Sequence, residues 1–149
     1  MNYQTLIRQS EELLRVEPWY VSALSNLSAL IMSSLPDLNW AGFYLMKDGQ
    51  LVLGPFQGKV ACIHIAVGKG VCGTAVAEDK TQLVEDVHAF PGHIACDGAS
   101  NSEIVVPIHY NGEIVGVLDI DSPKLSRFTT EDRDGLELIV STLESYIQF

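Results

Sequence analysis

The sequence predicts an α+β fold: an antiparallel sheet with helices from both chain ends packed on one face. Three observations predict it. Leucines recur at near-helical spacing through the first thirty residues. Two turn signals, Asp48-Gly49 and Asn111-Gly112, each separate a pair of apolar strand-like runs. The last twenty residues return to a 3.6-residue apolar period.

The segment 3–32 carries Leu6, Leu13, Leu14, Leu24, Leu27 and Leu30 at helical spacing, and Pro18 is expected to divide it into two helices. Residues 38–46 (LNWAGFYLM) are aromatic-rich and read as a strand, with 51–55 returning after the Asp-Gly turn. Residues 60–67 (VACIHIAV) read as the next strand, 71–78 as a short helix and 82–84 as a short strand. The stretch 86–102 is irregular, and a connection of that length in a compact domain usually carries function. Segments 103–109 and 113–120 form a hairpin across Asn111-Gly112. The final helix, about 132–147, is capped by Thr129 or Thr130 and places residues 136, 139, 140, 143 and 147 on one apolar face.

Length and composition narrow the class. The 149 residues suit one domain, taken as 1–149, and 47% hydrophobic with 19% charged residues is a globular balance. A net charge of −10 argues against nucleic acid, which needs a basic surface, and against an anionic membrane. No apolar run approaches the roughly 20 residues of a bilayer span. The N-terminus is polar and charged throughout, unlike a secretory signal, so a cytoplasmic location is expected.

The chain has three cysteines, Cys62, Cys72 and Cys96, an odd number that disfavours a disulfide framework. Cys62 is placed on a strand with Ala61, Ile63, Ile65 and Val67 facing the core, so that it points away from them. Burial is an equal alternative. Cys72 opens a helix, where the N-terminus favours a thiolate, although its small apolar neighbours fit simple packing as well. Cys96 lies in the long loop, three residues after His93, where packing gives little reason for a cysteine. Spacings of ten and twenty-four residues, with no C-x-x-C pair, speak against zinc, and no metal is expected.

Asp119 and Asp121 lie two apart and share one face of a strand, after Val115 and Val117. They suit an amine or a held proton; a solvated strand end is the commoner alternative. Glu103 opens the neighbouring strand. A strict two-residue turn pairs 110 with 113, hence 103 with 120, and turns Glu103 away from Asp119. Convergence of the three acids therefore requires a bulge that shifts the register, which Pro107 could mark, or a Glu103 that belongs to the loop. Phe43 is expected in the core, whereas Trp40 and Tyr44, with polar handles, could wall a pocket.

Taken together, GKGVCGTAVAEDKTQLVEDVHAFPGHIACDGASNSEIVVPI, the later GVLDIDSP, and LNWAGFYL resemble the free methionine (R)-sulfoxide reductases, which are GAF-fold proteins. The resemblance runs over nearly the whole chain. It implies a GAF-like sheet and thiol-dependent reduction of free methionine (R)-sulfoxide. By the same resemblance Cys96 matches the nucleophile and Cys62 the resolving cysteine. Cys72 matches the third family cysteine, of less certain role. Glu103, Asp119 and Asp121 match the carboxylates that hold the amine and polarise the sulfoxide, and Trp40 and Tyr44 match the wall near the methyl group. Thioredoxin is the implied reductant, a homodimer is a further candidate assembly, and no cofactor is implied. The rival classes are a non-catalytic GAF small-molecule sensor and a thiol switch acting on a partner.

Overall fold

The computed structural model describes residues 2–94 and 98–149. Cys96 and Asp97 lie outside the described residues. The chain runs α1 (Tyr3–Val16), α2 (Tyr20–Ser34), β1 (Trp40–Lys47), β2 (Gln50–Gly58), β3 (His64–Ala66), α3 (Gly70–Glu78), β4 (Gln82–Val84), β5 (Ser102–Tyr110), β6 (Glu113–Ser122) and α4 (Thr130–Tyr146). The six strands form one antiparallel sheet in the order β3-β2-β1-β6-β5-β4.

The helices begin and end for local reasons. Pro18 separates α1 from α2 as expected, and the Glu17 side chain accepts the Trp19 N–H at 2.9 Å in the break. Thr129 caps α4 in a reciprocal box: its hydroxyl accepts the Asp132 N–H, and the Asp132 carboxylate accepts the Thr129 N–H at 2.8 Å. Both hairpin turns place their non-glycine residue at positive φ, Asp48 at 54° and Asn111 at 53°, with Gly49 and Gly112 following at 80°. Such turns match the twist of the strands they join.

The sheet is covered on both sides. Leu6, Leu24, Leu27, Ile139 and Leu143 of the terminal helices pack on Phe43, Ile104, Ile108, Leu118 and Ile120. On the opposite face α3 supplies Val71, Cys72 and Ala75, which meet Trp40, Tyr44, Leu51, Ile65, Val105 and Val117. The three terminal helices thus hold one face, as expected, and the shorter α3 lies on the other. Alternation along each strand divides the residues between these cores.

Three expectations need correction. The strand expected over 60–67 shrinks to His64–Ala66, because β2 continues to Gly58 and the chain must turn before it can pair again. Of the four residues assigned to its core face, only Ile65 is buried; Ile63 and Val67 are exposed and Ala61 is half-buried. Cys62 precedes the strand rather than lying on it. β2 itself passes through Pro55, which falls where the β1–β2 register shifts between Gly42 and Tyr44, a place that tolerates a residue without an N–H.

The third correction concerns the β5–β6 hairpin. Tyr110 pairs with Glu113 and His109 with Ile114, but Ile108 then pairs with Gly116. Val115 is the extra residue, so the bulge lies on β6 rather than at Pro107. From there on the register is moved by one, and Glu103 pairs with Asp121 instead of Ile120. The same step turns Val115 to the helix-covered face, away from Val117.

Candidate active site

The shifted register builds the site. Glu103 on β5, Asp121 on β6 and Trp40 on β1 lie side by side across three strands. One step along, Val105, Asp119 and Gly42 form the next row, and Val117 and Tyr44 the row after that. Paired antiparallel residues share a face, so all three acids and both aromatics point to the side covered by α3. Of the two routes by which the three acids could converge, Glu103 lies on β5 rather than in the loop, and the bulge supplies the shift.

The acids are buried: Glu103 is 7%, Asp119 5% and Asp121 9% exposed. Asp132, the remaining buried acid among the described residues, shows what satisfied burial looks like. It receives the Tyr3 hydroxyl at 2.6 Å and the Arg127 guanidinium at 3.4 Å. Among the described residues no ion pair reaches Glu103 or Asp119, and Asp119 Oδ1 is buried without a hydrogen-bond partner. Burial, and then the negative charge of Asp119 and Asp121, push the Glu103 carboxyl well above its ordinary range. Burial raises Asp119 as well, partly offset by its contacts with Glu103 and Cys72. A site with this electrostatics keeps a proton on a carboxyl and attracts a cation.

Cys72 faces the same acids, and of its two readings the buried, packed one holds. It is a free thiol at the start of α3, but it is 4% exposed. Burial, followed by Asp119, Glu103 and Asp121, pushes the thiol well above its usual value. The pull of the helix N-terminus toward a thiolate, one of the two alternatives, is outweighed by desolvation and three carboxyls. Ligating atoms of Cys72, Glu103 and Asp119 all lie within 4.8 Å of one another. Cysteine spacing could not reveal such a group, since its members come from α3, β5 and β6.

Trp40 and Tyr44 wall the recess and fix its opposite rim. Their rings stack at 5.9 Å, and Phe56 stacks on Trp40 at 5.0 Å. The Trp40 indole N–H donates to the Lys59 carbonyl at 3.1 Å, and the Tyr44 hydroxyl donates to the Cys62 carbonyl at 2.9 Å. Burial and the neighbouring acids raise the Tyr44 pKa, which keeps the hydroxyl a donor. Gly58 makes room for the indole: it pairs with Trp40, has φ of 136°, and a Cβ there would lie 2.5 Å from Trp40 Cδ1. Cys62 is disulfide-bonded. Phe43 sits fully buried in the helix-side core, as expected.

The mouth adds residues that the sequence reading did not assign: Lys69, Gly70, Ile94 and Ser100 line the recess, together with His93. Burial, and then His88, lower the His93 pKa and favour its neutral form. Ser100 accepts the Asn39 side-chain N–H at 3.0 Å, which ties the loop to the strand that carries Trp40. Phe56 was missed because β2 was ended at Pro55. The alternation of Phe56 with Gly54, next to a strand rich in aromatics, was the available signal.

Comparison with known proteins agrees with this geometry. The GAF domain family model matches residues 22–148. A protein of Escherichia coli K12 named free methionine-R-sulfoxide reductase is 55% identical over 145 residues, spanning 97% of this chain and 88% of its own. The solved structure of fRMsr of Staphylococcus aureus in its reduced form superposes with a TM-score of 0.95 at 53% identity, covering 97% of this chain and 94% of that one. Free methionine-R-sulfoxide reductase from Neisseria meningitidis, solved in complex with its substrate, gives a TM-score of 0.94 at 41% identity, covering 97% and 87%. No helix among the described residues is long and apolar enough to cross a membrane. With its sheet order, its buried carboxyl trio and these relatives, the chain belongs to the GAF domain family and, within it, to the free methionine-R-sulfoxide reductases.

Proposed function

We propose that this protein reduces free methionine (R)-sulfoxide to methionine, with Cys96 as nucleophile, Cys62 as resolving thiol and Glu103 as proton donor. The observation that carries the reading is the buried carboxyl trio, which offers a held proton and a cation-binding charge in one recess.

The steps follow from residue chemistry. The substrate's ammonium group pairs with carboxylates of the trio, which favours a free amino acid over a methionine within a peptide, whose nitrogen is uncharged. The S-methyl group rests against Trp40 and Tyr44. The Cys96 thiolate attacks the sulfoxide sulfur and takes over its oxygen, which gains a proton from Glu103. Methionine departs and Cys96 is left as a sulfenic acid. The Cys62 thiol then attacks the Cys96 sulfur; water leaves and a disulfide forms. The bonded state of Cys62 supports its assignment to this step. An external dithiol, thioredoxin in the cytoplasm, reduces the disulfide by exchange and returns both thiols.

The test supplies racemic free methionine sulfoxide and dithiothreitol to the purified protein, with a Cys96→Ser variant in parallel. Methionine is expected to rise to about half the input and stop, with the variant inactive. Absence of methionine from folded, reduced protein overturns the reading in favour of a sensor.

A further inference from the structure

The proposed reaction leaves Cys72 without a task, although its thiol is the free one among the described residues and faces the most acidic part of the recess. Its surroundings are those of a metal ligand. Ligating atoms of Cys72, Glu103 and Asp119 lie within 4.8 Å of one another, each on a different element of secondary structure. Asp119, 5% exposed, lines the recess with a buried Oδ1 that has no hydrogen-bond partner. A buried carboxylate oxygen with nothing to accept from is costly, and a cation would satisfy it.

We propose that Cys72, Glu103 and Asp119 form a binding site for a thiophilic divalent cation of the zinc class, which excludes the substrate while bound. Zinc bonds sulfur at about 2.3 Å and carboxylate oxygen at about 2.1 Å, so tetrahedral ligands stand roughly 3.4–3.6 Å apart. The three ligand atoms, now within 4.8 Å of one another, would draw together to that spacing on binding. One thiolate and two carboxylates leave a fourth position for water. The thiolate discriminates against magnesium and calcium, which prefer six or more oxygens. On ligation the cation displaces the thiol proton and the proton held among the carboxyls, which pass to solvent. No electrons are transferred.

Ion binding stands independently of the proposed reaction. Only the exclusion of substrate rests on it, because the ion takes the carboxyls that would hold the ammonium group. The site would then act as a brake, engaged when free zinc rises.

Cobalt(II) is the probe, because a thiolate ligand gives it a near-ultraviolet charge-transfer band and tetrahedral geometry gives it visible bands. It is titrated into a Cys62→Ser/Cys96→Ser variant, in which Cys72 is the one cysteine. One equivalent is expected to give both signals, and zinc to displace it. Adding Cys72→Ser should abolish the charge-transfer band. Glu103→Gln or Asp119→Asn should weaken binding by more than about tenfold, since loss of even an outer-shell partner costs about 10–100-fold. No thiolate band, or a band indifferent to both acid substitutions, overturns the proposal. Should the double variant fail to fold, oxidised wild-type protein, with Cys62 in its disulfide, is titrated and judged by the same criteria. In turnover assays zinc should raise KM more than it lowers kcat. Cobalt binding without any turnover leaves the site standing and removes the proposed reaction; turnover without a thiolate band does the reverse.

Discussion

The Tyr44 hydroxyl donates a 2.9 Å hydrogen bond to the main-chain carbonyl of Cys62. A wall residue from a central strand thereby anchors the segment that carries the proposed resolving cysteine. A bond of this kind contributes about 0.5–1.5 kcal/mol, or roughly two- to tenfold in the population of the anchored arrangement. Tyr44→Phe should therefore slow disulfide formation by about that factor while leaving the first turnover nearly intact. Quenched-flow thiol counting separates the two steps. An unchanged rate of disulfide formation would show that the anchor has no kinetic role.

Glu103 should matter to chemistry and count against stability. Removing a general acid typically costs about 10²–10⁴-fold in rate. Glu103→Gln keeps the shape but removes the proton, so kcat/KM should fall by at least about a hundredfold. Relieving a buried, crowded carboxyl should add roughly 0.5–2 kcal/mol, or about 1–8 °C in melting temperature. Turnover and calorimetry on one preparation check both, and a variant that is slow and also less stable would contradict the assignment.

The pH dependence of stability has a defined sign. Glu103 and Asp119 are raised in the folded protein, chiefly by burial, whereas in the unfolded chain they ionise near 4. Between those values the folded state binds more protons. The stability tied to these groups is full below the unfolded value and is lost as pH rises through the window above it. The wild type should lose melting temperature from about pH 4 upward relative to Glu103→Gln/Asp119→Asn. Parallel curves for the two proteins would refute this. The same deprotonation should depress kcat/KM on the alkaline side.

Gly58 is predicted to be intolerant of a side chain. A Cβ there meets the Trp40 ring, and φ of 136° is unfavourable for any other residue. Gly58→Ala should cost about 1–3 kcal/mol and raise KM through displacement of the indole. Near-ultraviolet circular dichroism of the tryptophans reports the displacement directly, and an unchanged spectrum with unchanged KM would disprove it.

Most elements were legible because their signals are local. Asp-Gly and Asn-Gly mark the hairpins, Pro18 breaks the first helical segment, and Thr129 caps the last. The strand expected over 60–67 failed because alternation in a short apolar run does not say how long it stays paired. A bulge is one of the two routes to convergence that the sequence leaves open, and it lies at Val115 rather than at Pro107. It was recoverable from burial on both faces together. Ile104, Val106 and Ile108 share the helix-side core with Leu118 and Ile120. Paired residues must then sum to an even number, whereas a two-residue turn starting at Tyr110–Glu113 gives an odd one. Only an inserted residue reconciles them. The raised thiol of Cys72 was not legible, since the acids that raise it come from strands thirty or more positions away.

The double covering of the sheet has an evolutionary consequence. Along β5 and the outer part of β6, neighbouring positions answer to different selective demands. Ile104, Val106, Leu118 and Ile120 are judged by volume, and Glu103, Asp119 and Asp121 by chemistry. A saturation scan of either strand should give a two-beat pattern, with size tolerated at one beat and identity demanded at the next. Lineages can thus retune the thermal behaviour of the scaffold through the even positions while the reacting groups stay untouched.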